Sequence, residues 1–392
     1  MNFEQIKQTD QQYHMPTYAR FGVQLVKGEK SVAYDEQGQD YIDFTSGIGV
    51  NSLGFCDSGF NEAVIKQLNT LQHVSNLFYT EPQALLAKSL CEKTGYSKAF
   101  FCNSGAEANE CAIKLARKYS FDNVSQDRNE IITLKNSFHG RTITTITATG
   151  QEVFHNYFFP FTPGFSYAEA NEPDTVKALI TDKTCAVMIE TIQGEGGVLP
   201  LEEAFTAGIS ELCQTYNLLL ICDEVQTGIG RTGTLLSQEQ WELKADIVTL
   251  AKGLGGGLPI GACLCNEKLA KTLGPSTHGT TFGGNPVTCA GALYILDTVS
   301  DPAFLESVIQ KGNYMREKLL AMPEVKEVRG KGLMVGVILE KDNAKELVQK
   351  SIDEGLLILT AKTAVRFLPP LNITYEEIDA GLSRFEKALR KD

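Results

Sequence analysis

Lys252 stands at the end of an apolar run, Ile247-Val248-Thr249-Leu250-Ala251, and is followed by Gly253, Gly255, Gly256 and Gly257. A strand of that composition is buried, so it delivers the lysine amine to a place short of water. A desolvated amine gives up its proton more readily and can attack a carbonyl. The glycines would let backbone come close to a bound ligand. The same pattern suits a surface lysine capping a strand before a flexible loop, so Lys252 needs corroboration. A second apolar run, Leu218-Leu219-Leu220-Ile221-Cys222, ends in Asp223 and Glu224 and continues through Val225, Gln226 and the glycine-rich stretch from Thr227 to Gly233. Asp223 could cap the next turn. It could also pair with the protonated nitrogen of an aromatic ring and so keep that ring electron-withdrawing.

A third element suits an anion. Ala99-Phe100-Phe101-Cys102 reads as a strand, Asn103-Ser104-Gly105-Ala106 as a tight turn, and Glu107 to Tyr119 as a helix with Ala108, Cys111, Ala112, Leu115 and Ala116 on one face. Ser104 offers a hydroxyl there. Gly105 and Ala106 offer backbone N–H groups at the positive end of the helix dipole. As a plain N-cap the same segment needs nothing bound. A carbonyl-seeking lysine, a nitrogen-pairing aspartate and an anion-binding turn together read as a site for pyridoxal 5'-phosphate (PLP).

Six blocks, FFCNSGAEANECAIKLAR, NSFHGRT, IETIQGEGGVLP, LLLICDEVQTGIGRTG, TLAKGLGGGLPIGA and HGTTFGGNP, occur in an order and spacing that resemble the class III (ornithine-type) aminotransferases. The resemblance runs from about Tyr18 to the C-terminus, and the DEVQTGIGRTG and AKGLGGG pair is highly specific. It implies the fold type I of PLP-dependent transferases: an α/β large domain with a mostly parallel sheet covered by helices, plus a smaller αβ domain. It also assigns residues. Lys252 matches the Schiff-base lysine, Asp223 the pyridine-nitrogen partner, and Gln226 the residue near the ring hydroxyl. Phe138 and Val225 match the two sides of the ring. Ser104, Gly105 and Ala106 fall in the phosphate-binding turn. Thr281 matches a threonine that reaches the phosphate in the neighbouring subunit, which implies a homodimer with shared active sites.

The substrate side follows by the same resemblance. Arg141 matches the arginine that grips the α-carboxylate, a task suited to the planar guanidinium. Glu195 and Arg366 match a switch pair: apart when glutamate or 2-oxoglutarate brings a second carboxylate, together when an ornithine-type donor does not. The implied reaction moves the δ-amino group of an N-acylated ornithine, N-acetylornithine first, to 2-oxoglutarate in arginine biosynthesis. Ornithine, succinylornithine and γ-aminobutyrate are the alternative donors. Departures from the family pattern at Thr191, at Phe21-Gly22-Val23 and at Gly54-Phe55-Cys56-Asp57 avoid the residues assigned to chemistry and bear on the donor pocket.

Two rivals are weaker. A dinucleotide-binding dehydrogenase fails on spacing, because GxGxxG read from Gly253 or Gly255 ends on Leu258 or Ile260. A PLP aminomutase or racemase has no use for Arg366 with Glu195, since it takes no second carboxylate-bearing partner.

Stepping outward from these residues, short apolar strands alternate with helical stretches between about residues 50 and 285, as in a mostly parallel sheet. Expected strands include Ile131 to Leu134, Ala186 to Glu190, Leu218 to Cys222, Ile247 to Ala251 and Ala262 to Cys265. A helix from Val287 to Val299 leads to strands at Leu333 to Leu339 and Leu356 to Leu359 and a last helix after Thr374. The expected division is an N-terminal segment (1–45) packing with the small domain, a large PLP-binding domain (46–290) and a C-terminal small domain (291–392). A net charge of -12 argues against nucleic acid as partner. No segment reads as a signal peptide or membrane span, so the expected location is cytoplasmic. The 10 cysteines sit mostly in apolar segments and read as buried free thiols, with no CxxC pair or histidine set for a metal.

Overall fold

A computed structural model describes residues 1–391. Its centre is a seven-stranded sheet in the order Lys98–Cys102, Gly261–Cys265, Ile247–Leu250, Leu219–Asp223, Thr184–Ile189, Glu130–Leu134, Phe165–Ala168. Pairing is parallel from Ile247–Leu250 through to Phe165–Ala168, and Gly261–Cys265 is antiparallel to both of its neighbours. Lys98–Cys102 therefore points the same way as the parallel set, and Gly261–Cys265 alone is reversed. The apolar runs are explained by burial on both faces: all residues of Thr184–Ile189, Leu219–Asp223, Ile247–Leu250 and Gly261–Cys265 are buried. Expected strand positions agree to within a residue or two, and Phe165–Ala168 adds an edge strand.

The helix Gly105–Asn123 covers one face of this sheet, against Gly261–Cys265 and Ile247–Leu250. Its anticipated apolar face is buried as expected. It begins two residues before Glu107, because the Ser104 side chain accepts from Glu107 N at 3.2 Å and the Glu107 carboxylate accepts from Asn103 N at 2.6 Å. One leftover donor of the first helical turn, and the N–H of the residue just before the cap, are thereby satisfied.

Two smaller sheets complete the chain. Leu25–Glu29, Val32–Asp35 and Asp40–Asp43 form an antiparallel meander, extended by Leu356–Leu357 in parallel. Val325–Lys331, Met334–Leu339, Ala364–Phe367 and Leu359–Ala361 form the other. The single strand expected at Leu356 to Leu359 is thus two: it breaks at Ile358 and pairs first with Asp40–Asp43 and then with Ala364–Phe367. This crossing ties the N-terminal meander to the C-terminal sheet. Phe367 packs against Phe44 in a tilted contact and against Phe385 edge to face, with centroids 5.3 Å and 5.1 Å apart. Asn285 caps the helix Pro286–Val299, and Thr374 with Glu377 forms a capping box at Tyr375–Leu389. Among the described residues no helix is long and apolar enough to cross a membrane.

Candidate active site

Chain segments leaving the C-terminal ends of the co-directional strands converge on a cavity of about 450 Å³. Open α/β sheets place ligands at this edge, because helix starts and loops meet there while the other edge is closed by returning chain. Ser104, Gly105 and Ala106 follow Lys98–Cys102, Phe138 and Arg141 follow Glu130–Leu134, Asp223 closes its own strand, and Lys252 follows Ile247–Leu250; all line the cavity, as do Val225 and Gln226.

Lys252 sits at φ 40°, in the left-handed region that a side-chain-bearing residue occupies at a cost. Burial lowers the proton affinity of its amine, against the pull of the Glu195 carboxylate. The following glycines behave differently from the expectation. A Cβ on Gly255 would lie 2.0 Å from Leu258 O, so this glycine closes a turn; within the run, Gly257 is the one that borders the cavity among the described residues.

Asp223 is 3% exposed and held from several sides. Its Oδ2 accepts from Asn109 Nδ2 and from His139 Nδ1, both at 2.7 Å. Its Oδ1 accepts from Val225 N at 3.0 Å and from Thr249 Oγ1 at 3.4 Å. The turn-capping task and a strongly oriented carboxylate therefore coexist. Asn109 also donates to His139 O at 2.8 Å and accepts from Thr249 Oγ1 at 2.7 Å. Burial disfavours charge on His139, yet the Asp223 carboxylate prevails and raises its proton affinity. Sequence reasoning missed Asn109, His139 and Thr249. The available signal was polarity out of place: a threonine inside IVTLA and an asparagine beside the apolar helix face. Glu224 turns away and clamps Thr227 Oγ1 at 2.7 Å, Ser237 N at 3.0 Å and Gln238 N at 2.7 Å.

Gly105 has a steric reason of its own: a Cβ there would come within 2.7 Å of Val225 Cγ1. Only glycine lets the turn lie against Val225. The Arg141 guanidinium stacks on Phe154 at 4.1 Å and Phe138 at 5.4 Å, and no carboxylate pairs with it among the described residues.

Glu195 and Arg366 join at 2.5 Å just outside the cavity lining, on Gln226. Arg366 is 2% exposed, donates to Gln226 Oε1 at 3.2 Å and Gly194 O at 3.3 Å, and leaves its Nε without a partner. Burial works to raise the Glu195 carboxyl, but the Arg366 guanidinium outweighs it and holds the group below its ordinary value. Thr281 is not brought to the cavity. It is exposed, in a loop fixed by Asn76 Nδ2 donating to Thr280 O at 3.2 Å and Gly283 O at 2.8 Å.

The class follows from this geometry and from comparison with known proteins. Residues 13–389 match the family Aminotransferase class-III, and the chain belongs to that family. It is an aminotransferase. The acetylornithine aminotransferase of Haemophilus ducreyi is 52% identical over 99% of both chains, and that of Methanocaldococcus jannaschii 46% identical over 96% of both. Among solved structures, the ornithine aminotransferase of Toxoplasma gondii superposes with a TM-score of 0.94 at 33% identity, covering 99% of this chain and 95% of that one. The N-acetylornithine aminotransferase of Stenotrophomonas maltophilia gives 0.84 at 36% identity, covering 97% and 98%. The residues present fit PLP: a helix start for the phosphate, two apolar side chains flanking the cavity, an oriented carboxylate and an amine of lowered proton affinity.

Proposed function

We propose that the enzyme transfers the δ-amino group of N-acetylornithine to 2-oxoglutarate with PLP as cofactor, yielding N-acetylglutamate semialdehyde and glutamate. The observation that carries the donor and acceptor together is the pair of buried Arg366 with half-buried Glu195, resting on Gln226. One site must serve a donor whose far end is neutral and an acceptor with a second carboxylate. A permanently free arginine would favour glutamate throughout, whereas an arginine with its own internal carboxylate can take either role. The names of the full-length relatives support the same activity.

Bound PLP supplies a carbonyl that amines can take and a protonated ring that draws electrons from the adjacent carbon. In this reading Ser104, Gly105 and Ala106 would hold its phosphate, Phe138 and Val225 would flank its ring, Gln226 would serve the ring hydroxyl, and Asp223 would keep the ring nitrogen protonated. Lys252 would hold the carbonyl carbon and, when its amine is free, would serve as the base for the proton at the reacting carbon. The reaction proceeds as two half-reactions: the donor's semialdehyde leaves, its amino group kept by the enzyme, before the acceptor enters.

The same reading takes in the assembly. A homodimer would bring Thr281 to the partner's phosphate site. It would also cover Leu77, Phe78, Tyr79 and Phe282, which lie exposed on and beside the anchored loop. Residues 1–45 go with the small unit, 46–290 form the PLP-binding unit and 291–392 the small αβ unit. The role is arginine biosynthesis in the cytoplasm.

A donor panel tests the reaction. With 2-oxoglutarate as acceptor, N-acetylornithine should outperform ornithine, succinylornithine and γ-aminobutyrate in kcat/KM; a better rate with any of these would replace the donor. The pair is tested by single-turnover loss of the visible cofactor absorbance. Removing one partner of a buried pair leaves the other seeking a charge, so Glu195→Ala should raise the glutamate-to-acetylornithine efficiency ratio by roughly tenfold or more, and Arg366→Ala should lower it. If both variants move the ratio the same way, the pair is structural.

Arg141 offers a further check, because the α-carboxylate is common to donor and acceptor. Arg141→Lys should lower the efficiency of both half-reactions by about 10- to 100-fold, since a point charge cannot reproduce two parallel hydrogen bonds. A loss confined to one half-reaction would place Arg141 elsewhere on the substrate.

A further inference from the structure

Glu190 lines the same cavity as Asp223 and Lys252, yet no role above uses it. It follows the strand Thr184–Ile189 and is 4% exposed. Its Oε2 accepts from Phe138 N at 3.0 Å, the one hydrogen bond its carboxyl makes among the described residues. Asp223, on the adjacent strand, accepts from Asn109, His139, Val225 and Thr249. Two carboxyls in one water-poor volume do not both ionise readily, and charge settles on the one with more donors. The donor counts therefore send the proton to Glu190.

Titratable groups face Glu190 from every side of the cavity wall. His139 comes from the loop after Glu130–Leu134, Asp223 and Cys222 from Leu219–Asp223, and Lys252 from the turn after Ile247–Leu250. Burial pushes the Glu190 carboxyl up to about 8 against the opposing pull of His139, and the Asp223 charge reinforces the rise. A charged Glu190 would also strengthen the hold of Lys252 on its proton, which is the reverse of what an attacking amine needs.

Resting on the PLP reading above, we propose that Glu190 is a positioning residue that works as a neutral acid, anchoring the Phe138 backbone while leaving Asp223 the single carboxylate anion behind the ring. Phe138 is thereby set against the cavity by a bond that carries no charge. The proton affinity of Lys252 then stays lowered by burial and Arg366, against Glu195 and Asp223 alone.

Three readouts test this. In the cofactor-free protein at neutral pH, an infrared difference between wild type and Glu190→Gln should contain the carbonyl stretch of a protonated carboxyl. With PLP bound, the visible absorbance of wild type should show a transition on the alkaline side of the ordinary carboxylate range, where the raised carboxyl ionises, and Glu190→Gln should lack it. Glu190→Gln keeps an acceptor for Phe138 N and should bind PLP about tenfold more tightly than Glu190→Ala, which leaves that N–H unpaired. A missing carboxyl band, a transition that persists in Glu190→Gln, or equal PLP affinities of the two variants would each overturn the inference. A wild-type protein that binds no PLP would overturn the underlying reading instead.

Discussion

Lys252→Ala is expected to abolish turnover, by at least about 10⁴-fold, because one amine both holds the cofactor's carbonyl carbon and moves the proton. The structure accounts for why no neighbour can take over. Lys252 sits at φ 40° and its carbonyl accepts from Gly255 N at 2.9 Å, while burial lowers the proton affinity of its amine. Among the described residues no other lysine lines the cavity. The fold should survive the change, since alanine occupies the left-handed position at a cost similar to lysine and no buried polar group loses a partner. PLP should still enter, held by the turn at Ser104 to Ala106, but without the visible absorbance that covalent attachment gives. The measurements are steady-state turnover, absorbance, and circular dichroism to verify folding. Turnover close to that of wild type would remove Lys252 from the chemistry.

Asp223→Ala should be milder and differ in kind. PLP should still attach to Lys252, giving a visible band, while single-turnover loss of that band with N-acetylornithine slows by about 10²–10³-fold, the scale of losing one preorganised electrostatic group. The ring nitrogen would lose the anion that keeps it protonated. The variant should also be less stable, because His139 Nδ1 is orphaned in a buried site, at about 1–3 kcal/mol, and Asn109 Nδ2 keeps only its bond to His139 O. Denaturant unfolding separates the two effects. A half-reaction rate within a few-fold of wild type would assign Asp223 to turn capping through Val225 N alone.

Much of the site is legible in the sequence because its residues sit where local pattern is strongest. Apolar runs announce buried strands, and the residue immediately after such a run must emerge at the sheet edge; Asp223 and Lys252 are read in this way. The helix after Ser104 was legible from its spacing of small apolar residues, and its start was misplaced by two residues because the cap depends on where the Glu107 side chain turns. The split at Ile358 was not legible, since Leu356 to Leu359 has one continuous pattern and the two halves differ only in the strand each meets. Position 281 shows the opposite limit: the motif around Thr281 was plain, but in a single chain it lies exposed and away from the cavity.

By itself the sequence determined which residues could do chemistry, which strands are buried on both faces, and the family to which the chain belongs, because these depend on residue type and short-range spacing. Tertiary structure alone decided what each charged group faces. Asn109, His139, Thr249 and Asp223 come from four separate segments and form one network only when the helix Gly105–Asn123 lies across the sheet. Arg366 meets Glu195 across 171 residues of chain. Ionisation in a dry site is set by the number of donors and the distance of other charges, quantities that exist only once distant segments are packed together.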